Sequence, residues 1–177
     1  DECRLWTNYK TDYKPIVEFL REKQVQFVAT NIPRRYANSV FYNGLSHLET
    51  LSDIAKTYFP KLPIEIDTTL TSYKELMEMS MGGHSGKNMM EAQAVKDATM
   101  AHFILLNDEG KKFLHLNGSF HSNKYEGILS FLMRAVTKED IMVITMVSQE
   151  NINKLEEENL GLADFIFCFH EDYAKSH

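Results

Sequence analysis

Four short apolar runs, Val25 to Thr30, Lys112 to Leu116, Ile141 to Val147 and Asp164 to Phe169, are set along the chain with helical periodicity between them. This alternation constrains the fold more than any other feature. A strand covered on both faces reads as a continuous apolar run, whereas a strand with one wet face alternates. Such runs separated by amphipathic segments predict an α/β fold: a mostly parallel sheet flanked by helices, with a ligand site at the C-terminal ends of the strands.

The intervening helices are marked by their ends. Pro15 opens one that carries Ile16, Val17, Phe19 and Leu20 to about Lys23, and Pro33 opens another that stops at Asn43-Gly44. Further helices are predicted over Leu48 to Tyr58, Ser72 to Met81, Tyr125 to Ala135 and Asn151 to Glu158. The longest begins at an Asn88 cap and repeats Met90, Ala94, Val95, Ala98 and Ala101 at helical spacing before Asp108-Glu109-Gly110. No repeat or linker interrupts this order, so residues 1–177 are expected to form one α/β domain.

Composition excludes some classes of partner. The formal net charge of −6, with Lys and Arg scattered among acidic residues, supplies no basic stripe for a phosphate backbone, and nucleic acid is not an expected partner. The apolar runs fall far short of the roughly 20 residues a spanning helix needs. Of the two cysteines, Cys168 lies in an apolar run and is expected in the core, and Cys3 is uninformative.

In an open parallel sheet, turns at the carboxyl ends of strands bring side chains and backbone N–H groups to one crevice. Asn31-Ile32-Pro33-Arg34 follows the first run and offers an amide, a helix start and a guanidinium suited to an anion; its alternative is a self-bonded turn beside a surface Arg. Asn117-Gly118-Ser119-Phe120-His121 follows the second and offers an imidazole beside a glycine that lets backbone approach closely. Gly82-Gly83-His84-Ser85-Gly86 sits among Met77, Met79, Met81, Met89 and Met90, soft side chains that suit either a flat apolar ligand or plain helix packing. Gln93 and Asp97 share one face of the long helix, either turned inward and in need of partners or exposed as a solvated stripe.

Several segments, taken in order, resemble the ChaN-like haem-binding uptake family of the wider group that includes the Tiki, TraB and erythromycin esterase proteins. They are Trp6 with Asp12-Tyr13-Lys14-Pro15, then Asn31-Ile32-Pro33-Arg34, then Glu91-Ala92-Gln93 with Asp97-Ala98-Thr99-Met100-Ala101, and finally Gly118-Ser119-Phe120-His121 with Gly127-Ile128. The resemblance runs from about Trp6 to Val147. It implies haem binding in bacterial iron uptake by an exported lipoprotein of the periplasm or outer membrane, with a homodimer as a further expectation. On this resemblance Arg34 and Arg35 are candidates for the haem propionates and the Met77 to Met90 region for the slot. Tyr13, His84 and His121 are the candidate iron ligands, and Asn31, Met81, Gln93, Asp97 and Gly118 complete the candidate site.

The family begins with a strand ending in a Gly-Glu-x-His turn and a second strand ending in an acidic residue, and neither occurs in this sequence. The chain is therefore read as the C-terminal portion of a longer domain, with a preceding segment, a second chain or a dimer contact expected to complete the sheet. The resemblance also implies an alternative, a metal-dependent hydrolase in which His121 acts as general base or ligand to a divalent metal.

Overall fold

The structure, a computed structural model, describes residues 5–79 and 85–173. Six α-helices occur among the described residues: α1 (Lys14–Glu22), α2 (Arg34–Asn43), α3 (Asp53–Lys56), α4 (Thr71–Glu78), α5 (Gly86–Leu106) and α6 (Ile128–Leu132). Two strands follow, β1 (Ile144–Gln149) and β2 (Phe165–His170), so the fold is α/β, as the sequence predicts.

The long helix α5 is the hub. Its alanines and valine leave room for neighbours on several sides, and eleven of its residues are buried. A helix that is apolar nearly all round must be enclosed by others. One side carries Ala92 and Val95 against Ile32, Ala37 and Val40 at α2, with Leu48 and Phe59 closing the cluster. A second carries Met90 and Ala94 against Tyr73 of α4. A third carries Ala98, Met100 and Ala101 against Ile128, Leu129, Phe131 and Leu132 of α6 and against Val143.

The sheet is much smaller than the sequence predicts. β1 and β2 pair in parallel with Ile144 opposite Phe165 and Gln149 opposite His170, and no third strand joins them among the described residues. The other two runs form no strand: residues 26–30 and 112–116 make no backbone hydrogen bond to any described residue. Their apolar side chains stay in water, with Phe27 63% and Leu114 82% exposed. A strand exists only through a partner ladder, so composition alone cannot create one. A single side-chain bond, Thr30 Oγ1 to His115 Nε2 at 2.8 Å, links the two runs.

β1 is also covered on one face only, burying Thr145 and Gln149 while Ile144 and Met146 face out. Cys168 on β2 is consequently half-buried rather than in the core. The predicted helix over Asn151 to Glu158 is absent apart from a 3₁₀ turn at Glu157–Asn159. Buried Gln149 replaces it: its amide donates to the carbonyls of Asn151 and Lys154 at 2.5 and 2.7 Å, and its oxygen accepts from Asn159 Nδ2 at 3.1 Å. These bonds satisfy the loop that a helix would otherwise have to satisfy internally.

Boundaries elsewhere follow local chemistry. α2 ends at Gly44, whose φ of 82° suits glycine. The Ser85 hydroxyl, rather than Asn88, caps α5 by accepting from the Asn88 N–H, while the Asn88 amide donates to the Phe41 carbonyl. The single helix expected over Leu48 to Tyr58 is instead a 3₁₀ segment (Leu45–Thr50) and α3, divided at the Ser52 cap. No helix among the described residues is long and apolar enough to cross a membrane.

Candidate functional site

Gln93, Lys96 and Asp97 lie within about one turn of α5, a spacing that places three polar groups on one face. His121 reaches the same face from the turn after Gly118. Its Nδ1 lies 2.5 Å from Asp97 Oδ1, and Tyr73 of α4 donates its hydroxyl to Asp97 Oδ2 at 2.8 Å. Asp97 and Tyr73 are fully buried, whereas the His121 side chain remains 17% exposed. Gln93 Nε2 lies 2.8 Å from His121 Nδ1 and 3.3 Å from its Nε2, and Lys96 Nζ lies 3.4 Å from Gln93 Oε1.

The donors fix the polarity of this chain. An ammonium can only donate, so Lys96 makes the Gln93 oxygen the acceptor and leaves the Gln93 amide nitrogen to donate. An ionised carboxylate can only accept, so Asp97 takes Nδ1–H of His121, and the Gln93 amide, 2.8 Å from Nδ1 and 3.3 Å from Nε2, can then donate only to the farther Nε2. In this arrangement Nε2 carries the lone pair of the ring, with the Gln93 amide beside it.

The electrostatics match. Burial raises the Asp97 carboxyl above the usual aspartate range, against the lowering effect of His121 and Tyr73. Burial and the Asp97 charge push the Tyr73 phenol far above its ordinary value, so it stays a donor. Burial lowers the Lys96 ammonium, Asp97 opposes this, and the nearby Arg34 charge lowers it further. His115, bonded to Thr30 and at 3.0 Å to Asn117 Oδ1, is lowered by burial and stands close enough to His121 to feel its charge.

Two glycines differ in what they do. Gly118 has φ −68° and ψ 145°, which any residue adopts, and a Cβ there would meet only the His121 Cδ2 at 4.0 Å. It leaves one side of the imidazole open rather than supplying an unusual backbone. Gly127, with φ 56°, is the constrained one: a Cβ would lie 2.5 Å from the His121 carbonyl oxygen. A residue without a Cβ is what lets the backbone of the turn that carries His121 pass this close to Gly127.

The structure brings Gln93, Asp97 and His121 together, while Arg34 is exposed and related to them only by the reach of its charge to Lys96. Asn31 is exposed beside Arg34, with no polar partner among the described residues. Tyr13 stacks edge-on with Trp6 at 5.3 Å, and no hydrogen bond or ring contact ties it to the His121 group. Met81 and His84 lie outside the described residues. Of the methionines proposed to form a slot, Met90 is buried and Met77 half-buried in the cluster around Tyr73, so these two fill the core. Tyr73 and Lys96 were not singled out in the sequence. Tyr73 gives no local signal because its partner is far along the chain, and Lys96 reads as one more helix charge.

A cavity of about 380 Å³ opens at the far end of α2, among Gly44, Leu45, Pro63, Lys87 and Glu91, and no sequence-derived candidate lines it. Glu91 is already engaged there, accepting from the Leu45 N–H at 2.7 Å and pairing with Lys87 at 3.2 Å. Among the described residues no three His, Cys, Asp or Glu side chains converge to hold a metal ion.

The family model described as haem-binding uptake, Tiki superfamily, ChaN matches residues 1–132. The chain belongs to this ChaN family. No protein of curated function and no solved structure gives a significant match. The polar chain from Tyr73 to His121, and Arg34 with it, falls inside the matched part of this ChaN-family protein. The match stops short of Val147, the limit expected from the motifs, and both β1 and β2 lie beyond it.

Proposed function

We propose that this chain binds haem in bacterial iron uptake, offering His121 Nε2 to the iron and Arg34 to a propionate. The observation that carries the reading is the buried Asp97 carboxylate on His121 Nδ1. A metal-ligating histidine generally donates its other ring N–H to such an acceptor, which orients the ring and raises its basicity. The donor set fits the group: an imidazole whose Nε2 meets only a long contact to the Gln93 amide, a guanidinium whose charge reaches Lys96, and apolar surface at Phe120, which is 41% exposed and packs edge-on against His121. When bound, haem would supply its iron chemistry and the protein the ligand and the orientation. Tyr13 and His84 remain the other candidate ligands.

The exposed runs at Val25 to Thr30 and Lys112 to Leu116 support a further part of the reading, that a preceding segment, a second chain or a homodimer contact completes the sheet. Export as an envelope lipoprotein of the periplasm or outer membrane belongs to the same proposal and rests on the family. The test is a haem titration followed by the Soret band. The full chain is expected to shift and intensify the band, and His121→Ala to weaken binding about tenfold or more. No shift with the unsubstituted chain rejects the reading.

The Asp97 and His121 pair also favours a second reading, hydrolysis with His121 as general base or as ligand to a divalent metal. Ester cleavage lost in His121→Ala and abolished by a chelator, with no Soret change, would select it.

A further inference from the structure

We propose that Lys96 and Arg34 form an anion clamp that selects a ligand by its carboxylate groups, with Gln93 as the strut tying the clamp to His121. The inference deepens the haem-binding reading and rests on it. Lys96 is half-buried on the face of α5 that it shares with Gln93 and Asp97, between the buried Ala92, Val95 and Ala98, where desolvation works against its charge. Its charge nevertheless has no ion-pair partner among the described residues. The Asp97 oxygens are taken by Tyr73 and His121, and the Gln93 oxygen is a long, neutral acceptor at 3.4 Å. Two of the three ammonium protons have no acceptor among the described residues.

Arg34 is also without a counter-ion among the described residues, and it opens the helix whose Ala37 and Val40 pack on Ala92 and Val95, beside Lys96. Two like charges placed together repel, and the opposing charge near Lys96, Asp97, already accepts from Tyr73 and His121. A carboxylate on the ligand would accept from both. Because Lys96 also holds the Gln93 oxygen, an anion that draws the ammonium outward loosens the Gln93 amide from His121 Nε2. Carboxylate capture is thereby coupled to unmasking of the imidazole.

The experiment uses iron-free protoporphyrin, which keeps the carboxylates and lacks the metal, and its dimethyl ester, which lacks both charges. Each is titrated into the full chain and followed by porphyrin fluorescence and absorbance. The free acid is expected to bind about tenfold or more tightly than the ester. Lys96→Met should weaken the free acid about tenfold and leave the ester unchanged, Lys96→Arg should stay within about threefold, and Arg34→Met should lose somewhat less than Lys96→Met. Equal binding of acid and ester, a result that depends on no variant, overturns the clamp. So does a folded Lys96→Met protein that keeps the preference for the acid, or an absence of iron-free porphyrin binding. A His121-dependent Soret change with haem under the same conditions would leave the haem reading standing while the clamp fell.

Discussion

The helical half around α5 and the strand half around β1 contain similar apolar sequence and treat it oppositely. α5 satisfies its backbone within itself, so Ala92, Val95 and Ala98 have only to find neighbours, and they are at most 5% exposed. The strand half depends on hydrogen bonds to other segments. β1 and β2 find each other, the remaining two runs find no ladder partner among the described residues, and Phe27, Leu114, Leu116, Met146 and Phe167 are all more than half exposed. A helix can be completed locally, whereas a strand is completed only by what lies beside it. The candidate site sits on the complete half, and only the turn carrying His121 departs from the incomplete one.

That contrast can be broken most forcefully at Asp97. Asp97→Ala strands the Tyr73 hydroxyl and the His121 Nδ1–H in a buried place and is expected to cost about 2–4 kcal/mol in urea unfolding. A loss below about 1 kcal/mol would mean that the polar chain is not part of what holds α4 and α5 together. Next in size is a paired substitution: Val95→Ala should cost about 1–3 kcal/mol, while Leu114→Ala, losing the same kind of carbon into water, should stay within about 0.5 kcal/mol. Equal losses would show that the run at Lys112 to Leu116 is packed in solution. Gly127→Ala, with its Cβ against the His121 carbonyl, is expected to lose about 1–3 kcal/mol and to impair haem binding along with stability.

The smallest effect concerns pH. Glu126 accepts the N–H groups of Thr71 and Ser72 at 2.9 and 2.8 Å at the start of α4. Burial works against its ionisation, but those donors outweigh it and hold the carboxyl below the ordinary glutamate value. Its stabilisation is therefore present above that ordinary value and lost as pH falls through the lower, folded one. Glu126→Gln should flatten the acid limb of a melting-temperature profile by a change of about 0.5–1 kcal/mol. Asp97 carries the opposite sign, since its raised carboxyl contributes below the ordinary aspartate value and loses that contribution as pH rises through the folded one.

Much of the site was legible in the chain itself. The four-residue spacing of Gln93 and Asp97 placed them on one face, and the turn from Asn117 to His121 announced an imidazole at the end of a run. Which face of α5 points inward was not legible, because a helix as apolar as this one has no single buried stripe. Tyr73 and Lys96 escaped for related reasons: a bond between residues far apart in sequence leaves no local pattern, and a lysine on a helix looks the same with or without a counter-ion. The fold shows the matching limit. Helix ends announced by Pro33, Gly44 and Pro15 appeared close to where they were expected, and strands inferred from composition failed where no partner was at hand.

One small contact governs how closely α4 and α5 meet. At Gly86 the helix α5 starts so close to the end of α4 that an added Cβ would collide with the Met77 and Met79 carbonyl oxygens. The bare α-carbon lets the start of one helix rest against the last carbonyls of the other, and α4 in turn carries Tyr73 to Asp97. A methyl group added at Gly86 would have to force the two apart and would strain the Tyr73–Asp97 bond that joins them, so a position with no side chain at all helps hold the polar chain in register.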